Sequence, residues 1–195
     1  MTQVADALAA VERGDAIVIP TDTVYGLATT PFHEDAVLAL ARFKHRDARQ
    51  PIALLAPSAE ALVELLPELD DRARTLAHAL LPGPYTLVFP NPARRFPWLG
   101  GDTLGVRVPA LAGDAAAVLA GARALAATSA NLHGGADPAT LADVPPELRE
   151  AAAVVVDGGT LPGTASTVLD CTGAEPRILR EGAGLDRVRE VLAGK

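Results

Sequence analysis

The chain has 195 residues, 49% of them apolar and 21% charged, with a net charge of −7. This composition excludes a disordered chain and argues against a general nucleic-acid binder, which needs a broad basic face, but it suits a local basic pocket for a small anion. A single cysteine, Cys171, excludes an intrachain disulfide and a cysteine-cluster zinc site, while the lack of a basic-then-apolar leader after Met1 and of any bilayer-length apolar run predicts a cytoplasmic protein with no membrane segment.

Val4, Leu8 and Val11 fall at helical spacing, with Thr2 as a cap and Gly14 as a stop, so a helix opens the chain. Ala16 to Ile19 reads as a buried strand closed by Pro20, and the polar run Thr21 to Leu27 reads as a loop. Hydroxyl-rich loops at strand ends commonly carry sites. A second helix begins near Glu34, buries Val37, Leu40 and Ala41, and runs out in the stretch Lys44-His45-Arg46-Asp47-Ala48-Arg49-Gln50 before Pro51. Of the 17 basic residues 15 are arginine, and Lys44 is the only lysine besides the C-terminal Lys195. An ammonium is a compact point charge and a guanidinium a planar fork, so a lysine kept here points to work that arginine does less well. A cation at a helix C-terminus also complements the helix dipole, and that plainer reading stands beside it.

Ile52 to Leu55 is the next strand, Ser58 caps a helix carrying Leu62 and Leu65, and Asp70 to Leu81 is helical until Pro82-Gly83-Pro84 breaks it. Tyr85 to Phe89 is a strand, Asn91 to Asp102 a surface loop, and Leu104 to Val108 a strand whose alternation is broken by Arg107. A short helix over Asp114 to Ala120 leads to the strand Leu125 to Thr128, which runs into Ser129-Ala130-Asn131. After a turn-rich section come the strand Val154 to Val156, the loop Asp157 to Gly163, a strand pair Ser166–Asp170 and Arg177–Arg180, and a closing helix from Asp186. With no repeat and no long linker, the pattern predicts a single domain, 1–195, of α/β or α+β class with a mixed, twisted sheet.

Neither phosphate-binding glycine signature is present, and the four histidines lack ligand spacing, so no protein-ligated metal is expected. Asp157-Gly158-Gly159 reads as a turn before it reads as an anion nest. No G-x-S-x-G elbow occurs, and Cys171, with no basic neighbour, reads as an inert half-buried thiol. What remains is a set of strands ending in hydroxyl, amide or arginine side chains: Thr21 and Thr23, Arg107, Thr128, Ser129 and Asn131, Ser166 and Thr167, and Arg180. With Lys44 and Arg46 they supply the donors and cations that orient polyanionic substrates.

These stretches, Pro20-Thr-Asp-Thr-Val-Tyr-Gly-Leu27, Lys44-x-Arg46, Pro82-Gly-Pro-Tyr-Thr-Leu87, Gly105-Val-Arg-Val-Pro109, Thr128-Ser-Ala-Asn131, Asp157-Gly-Gly159, Ser166-Thr-Val168 and Leu179-Arg180, stand in the order found in the YrdC-like L-threonylcarbamoyladenylate synthases, which the chain resembles over nearly its whole length. The resemblance implies a YrdC-like twisted mixed sheet flanked by helices, with a concave, locally basic cleft, in the short single-domain form. It also implies a nucleotidyltransferase that condenses L-threonine, bicarbonate or CO2, and ATP with Mg2+ into threonylcarbamoyl-AMP and pyrophosphate. The product serves tRNA modification, with tRNA or a tRNA-modifying transferase complex as partner. By that resemblance Lys44, Arg46, Ser129 and Asn131 match catalytic positions, and Thr23, Gln50, Thr86, Arg107, Ser166 and Arg180 match substrate or ATP contacts.

The chain departs from the family pattern at Asp47, at His133, and at Gln50, where the family carries a lysine. Arg49 is the natural substitute for that lysine, and on this reading Arg49→Ala weakens ATP binding more than Gln50→Ala. Competing readings are a non-enzymatic RNA-binding module, a paralogue with altered chemistry, and a carbamoyl-transfer module of the hydrogenase-maturation type. The net charge disfavours the first, the intact Lys-x-Arg and Ser-x-Asn pairs the second, and the absence of zinc-binding cysteines the third.

Overall fold

The computed structural model describes residues 3–44 and 50–194. His45 to Arg49, including Arg46 and Arg49, lie outside the described residues, as does the expected cap Thr2. Helix α1 (Gln3–Arg13) ends at Gly14, whose φ of +84° suits a residue without a Cβ. Strand β1 (Ile17–Ile19) is followed by β2 (Gly26–Thr29), which pairs antiparallel with it. The sequence pattern does not predict β2, because its four residues are all buried and small or neutral, leaving no alternation to read. Next come α2 (Glu34–Phe43), β3 (Ala53–Leu55), α3 (Ala59–Leu65) and α4 (Asp71–Leu80). Ser58 and Asp70 accept hydrogen bonds from Ala61 N and Ala73 N, which gives these two helices side-chain caps.

Strand β4 (Tyr85–Pro90) leads through the one-turn helix α5 (Pro97–Gly100) to β5 (Thr103–Arg107). The segment before β5 is less superficial than expected. Leu99 is buried, and so is Asn91, whose side chain bonds Arg95 O, Arg95 N and Gly101 O and holds the loop shut. The chain finishes with α6 (Gly113–Ala122), β6 (Leu125–Ser129), α7 (Pro146–Ala151), β7 (Val154–Val155), β8 (Thr167–Asp170), β9 (Arg177–Arg180) and α8 (Leu185–Leu192).

Among the described residues the strands form one mixed sheet in the order β7-β1-β2-β6-β3-β5-β4-β8-β9. One face is covered along its length. Val18, Leu27, Leu54, Val106, Leu87 and Leu169 pack there against Val37 and Leu40 of α2, Leu62 of α3, Ala77 and Leu80 of α4 and Val188 of α8. Among the described residues the opposite face is covered at one end only, where Ile17, Ile19, Ala28 and Leu125 meet Ala7, Ala10 and Val11 of α1 and Val118 and Leu119 of α6. The uncovered part over β3, β5, β4 and β8 is the floor of a cleft.

Candidate active site

Strand alternation decides what the floor presents. In β4, Tyr85, Leu87 and Phe89 are buried, so Thr86 and Val88 face the cleft; in β5, Leu104 and Val106 are buried, so Thr103, Gly105 and Arg107 face it. Arg107 therefore does not break the alternation of β5. It occupies a regular outward position on a face that carries a site instead of a helix. The cleft holds about 730 Å³. From β6 to β9 it crosses five strand spacings, about 24 Å, room for a nucleotide and an amino acid side by side. Lys44, Gln50, Thr23, Thr86, Arg107, Ser129, Asn131, Ser166 and Arg180 all line it, Gln50 at the start of the second described segment, before β3, and the other eight in three clusters.

The first cluster joins the end of α2 to the end of β6. Lys44 is the C-cap of α2, with only 3% of its surface exposed, and its Nζ donates to Asn131 Oδ1 (2.9 Å), Thr128 Oγ1 (3.2 Å) and the Ser129 carbonyl. Ser129 Oγ donates to the same Asn131 Oδ1 at 2.7 Å, and Asn131 Nδ2 donates to Gly135 O at 2.6 Å. Asn131 Oδ1 thus has both lone pairs filled and its amide is locked in place. The Ser129 hydroxyl is a rotor, so it is the member able to exchange its partner for a ligand oxygen.

The second cluster holds Arg107 beneath the loop after β1. Arg107 Nη2 donates to Asp22 Oδ1 (2.7 Å) and Thr23 Oγ1 (3.2 Å), while its buried Nε has no partner among the described residues. Burial pulls this guanidinium below its ordinary pKa, and the Asp22 carboxylate opposes that pull. Thr21 gives its single hydroxyl proton to Val24 O at 2.7 Å, so the 2.9 Å contact between Thr21 and Thr23 is a donation from Thr23. Thr23, fully buried at the floor, therefore keeps only acceptor capacity for anything else.

In the third cluster, Thr86 Oγ1 and Ser166 Oγ are 2.8 Å apart, and Arg180 reaches Ser166 O and Oγ through Nη2 at 2.9 and 3.0 Å. Thr86 pairs with Val168, which pairs with Arg180, so strand register brings the three together. Ser166, buried just before β8, is held by the following segment: Thr167 Oγ1 donates to Ala183 O, and Ala183 N donates to Ala165 O.

The loop after β7 is a turn and not an anion nest. Gly158 N donates to the Tyr25 hydroxyl and Gly159 N to Asp157 Oδ1, so these amides are occupied. Tyr25, fully buried, has one hydroxyl proton, with Gly159 O at 2.9 Å and Asp157 Oδ1 at 3.1 Å as its two alternative acceptors, and Gly163 N bonds Thr23 O, which ties this turn to the cleft floor. Residue types alone do not single out Asp22, Tyr25 or Asp137. Asp22 had a visible signal, an acid between two threonines at a strand end. Tyr25 and Asp137 had none, since their partners are more than a hundred residues away or reached through a loop.

Among the described residues no group of three or more His, Cys, Asp or Glu side chains is arranged to hold a metal ion, and no helix is long and apolar enough to cross a membrane. Among the described residues lining the cleft Asp137 is the sole carboxylate; the other polar side chains are hydroxyls, amides, cations and the imidazole of His133.

Residues 9–182 match the family model Sua5_yciO_yrdC, described as "Telomere recombination". A Mycobacterium tuberculosis relative is 35% identical over 194 residues, covering 97% of this chain and 88% of its own length. The "Threonylcarbamoyl-AMP synthase" of Pyrococcus abyssi is 34% identical over 186 residues, covering 93% of this chain and 55% of that protein. The crystal structure of Pyrococcus abyssi Sua5 complexed with L-threonine superposes with a TM-score of 0.89 at 32% identity, over all of this chain and 58% of that one.

Proposed function

The chain belongs to the Sua5–YciO–YrdC family, and from that premise and the cleft we propose that it is a threonylcarbamoyl-AMP synthase, condensing L-threonine, bicarbonate or CO2, and ATP into threonylcarbamoyl-AMP and pyrophosphate. The observation that carries the reading is the placement of Lys44, Ser129 and Asn131 in one hydrogen-bonded cluster across a single cleft from Thr23 and Arg107. On this reading the enzyme is a nucleotidyltransferase formed by one domain, 1–195, working in the cytoplasm.

The chemistry explains the residue types. The threonine amine, once deprotonated, bonds the carbon of CO2 to give a carbamate, a weak anionic nucleophile. A carbamate oxygen then attacks the α-phosphorus of ATP, the bond to the bridging oxygen breaks, and pyrophosphate leaves. Two anions must be brought together, so charge neutralisation and alignment are the main tasks. Lys44, with its protons directed to Ser129 and Asn131, holds those groups in register and contributes its positive field to the reacting end. Ser129 turns its hydroxyl to a phosphate oxygen. Arg107 takes the threonine carboxylate, Thr23 accepts a hydrogen bond from the substrate hydroxyl or amine, and Arg180 with Ser166, Thr86 and Gln50 steadies the nucleotide. Arg46, outside the described residues, adds a second cation two positions from Lys44.

Among the described residues, a lining of hydroxyls, amides, cations and one imidazole with one carboxylate fits a magnesium ion carried in on the triphosphate better than one caged by protein, with Asp137 the residue able to reach it through water. When bound, such an ion supplies charge neutralisation to the departing pyrophosphate. The product serves threonylcarbamoyladenosine formation on tRNA through a separate transferase.

The test is pyrophosphate release from ATP with threonine and bicarbonate each supplied or withheld. Release that requires both, and that falls at least about 100-fold in Lys44→Ala, is the expected result. Release indifferent to threonine, or salt-sensitive tRNA binding without turnover, would instead indicate the RNA-binding module.

A further inference from the structure

Asp22 has no place in the chemistry above, yet both of its carboxylate oxygens are engaged beside the cleft. It leaves β1 in the Thr21-Asp22-Thr23 loop with its side chain about 9% exposed, against 12% for that of Arg107. Its two oxygens do different things: Oδ1 takes Arg107 Nη2 at 2.7 Å, and Oδ2 takes the backbone N–H of Ala110 at 3.0 Å, just beyond β5. Arg107 is thus fixed from its own strand's exit and from the loop above it, and its bond to Thr23 follows from that pose. A buried ion pair of this kind is a poor source of net stability, because desolvating both charges offsets most of their attraction. Its value is orientation.

We infer that Asp22 is a positioning residue for the amino-acid end of the cleft: it fixes the Arg107 guanidinium beside Thr23, so that a substrate carboxylate meets an aligned cation. The inference rests on the proposed function for the identity of the substrate, but not on turnover. With Asp22 uncharged, Arg107 gains freedom to swing toward the phosphate-binding part of the cleft, where it would serve any anion and select none. Selectivity for a carboxylate at the Thr23 end would then be lost before overall binding is.

Calorimetric titration of L-threonine and of L-threonine amide, which lacks the carboxylate charge, into wild-type protein and Asp22→Asn tests this without catalysis. Wild type is expected to prefer threonine over the amide by at least about tenfold. Asp22→Asn is expected to lose threonine affinity about tenfold while its affinity for the amide changes less than twofold. In parallel, KM for threonine rises while KM for ATP stays within twofold. Equal losses for acid and amide would mean that Asp22 merely supports the loop, and unchanged affinities would mean that it does not act on Arg107; either overturns the inference. Should Asp22→Asn fail to fold, Arg107→Lys must give the same acid-against-amide pattern, and its absence there counts equally against it. Wild-type protein that binds neither ligand overturns this inference together with the proposed function, whereas wild type that binds both and never releases pyrophosphate overturns the function alone.

Discussion

Lys44 directs an ammonium inward at three converging acceptors, Asn131 Oδ1, Thr128 Oγ1 and the Ser129 carbonyl. A tetrahedral donor with three protons serves that arrangement, whereas a planar fork, longer and wider, cannot point at a common centre. Lys44→Arg therefore keeps the charge and loses the geometry. Its kcat for pyrophosphate release should fall by at least about tenfold, close to the loss in Lys44→Met, because misplacing groups by an ångström is costly. Near-normal turnover in the arginine variant would show that only charge is needed at this position. At Cys171 the environment acts in the opposite direction: burial first, then the Asp170 carboxylate, push the thiol up to about 12. At pH 8 roughly one thiol in ten thousand is then ionised, and the thiolate is the reactive form. Iodoacetamide should leave native protein unlabelled and fully active at pH 8 and label it in urea; rapid labelling of folded protein would contradict this environment.

The hairpin of β8 and β9 carries Arg180 into the cleft, and its far end is fastened by Asp170. The Thr172 hydroxyl, the Thr172 N–H and Arg177 hold the Asp170 carboxyl down at about 2, against an ordinary 3.8. A native pKa below the unfolded one means that folding favours the ionised form. The stabilisation is complete above about pH 4 and is lost as pH falls toward 2. Thermal unfolding followed from pH 5 to 2.5 should therefore show a steeper drop for wild type than for Asp170→Asn, which starts lower and loses less; parallel curves would remove Asp170 from the acid response. At the other side of the cleft, Tyr25→Phe deletes a hydroxyl that accepts from Gly158 N and reaches Gly159 O and Asp157 Oδ1 on an exposed turn, where water can replace it, a loss of about 0.5–1.5 kcal/mol in denaturant unfolding.

These same elements show which features of the chain were readable and which were not. Helices with a capping residue and an apolar stripe, such as α3 and α4, were plain, and so were β4 and β6, whose ends carry the site. Strand β2 was invisible because burial on both faces erases periodicity. Polarity alone makes the outward position of Arg107 look like a break in alternation, because nothing in the sequence shows that among the described residues one face of β5 has no helix over it. The chemical groups of the site were legible as residue types, but their clustering was not: Lys44 and Asn131 are brought within 2.9 Å by folding alone.

At the scale of the whole molecule, a net charge of −7 surrounds a cleft whose described lining residues carry Lys44, Arg107 and Arg180 against a single carboxylate, Asp137. Two electrostatic situations coexist, and salt separates them. Exposed charges are screened over about 10 Å at 0.1 M and about 3 Å at 1 M, while partly buried charges in contact with a ligand are screened far less. Raising KCl from 50 to 500 mM weakens the repulsion that the acidic exterior exerts on an approaching nucleotide and only modestly weakens the contacts that hold it. The two effects oppose each other, so KM for ATP should change by no more than about threefold across that range. A general nucleic-acid surface behaves differently, because each phosphate contact releases a counterion and affinity falls as a steep power of salt. A tenfold or greater rise in KM for ATP would place the operative cations on the exposed rim, and tRNA retention that vanishes with the same salt increase would turn the molecule from a cleft enzyme into a surface binder.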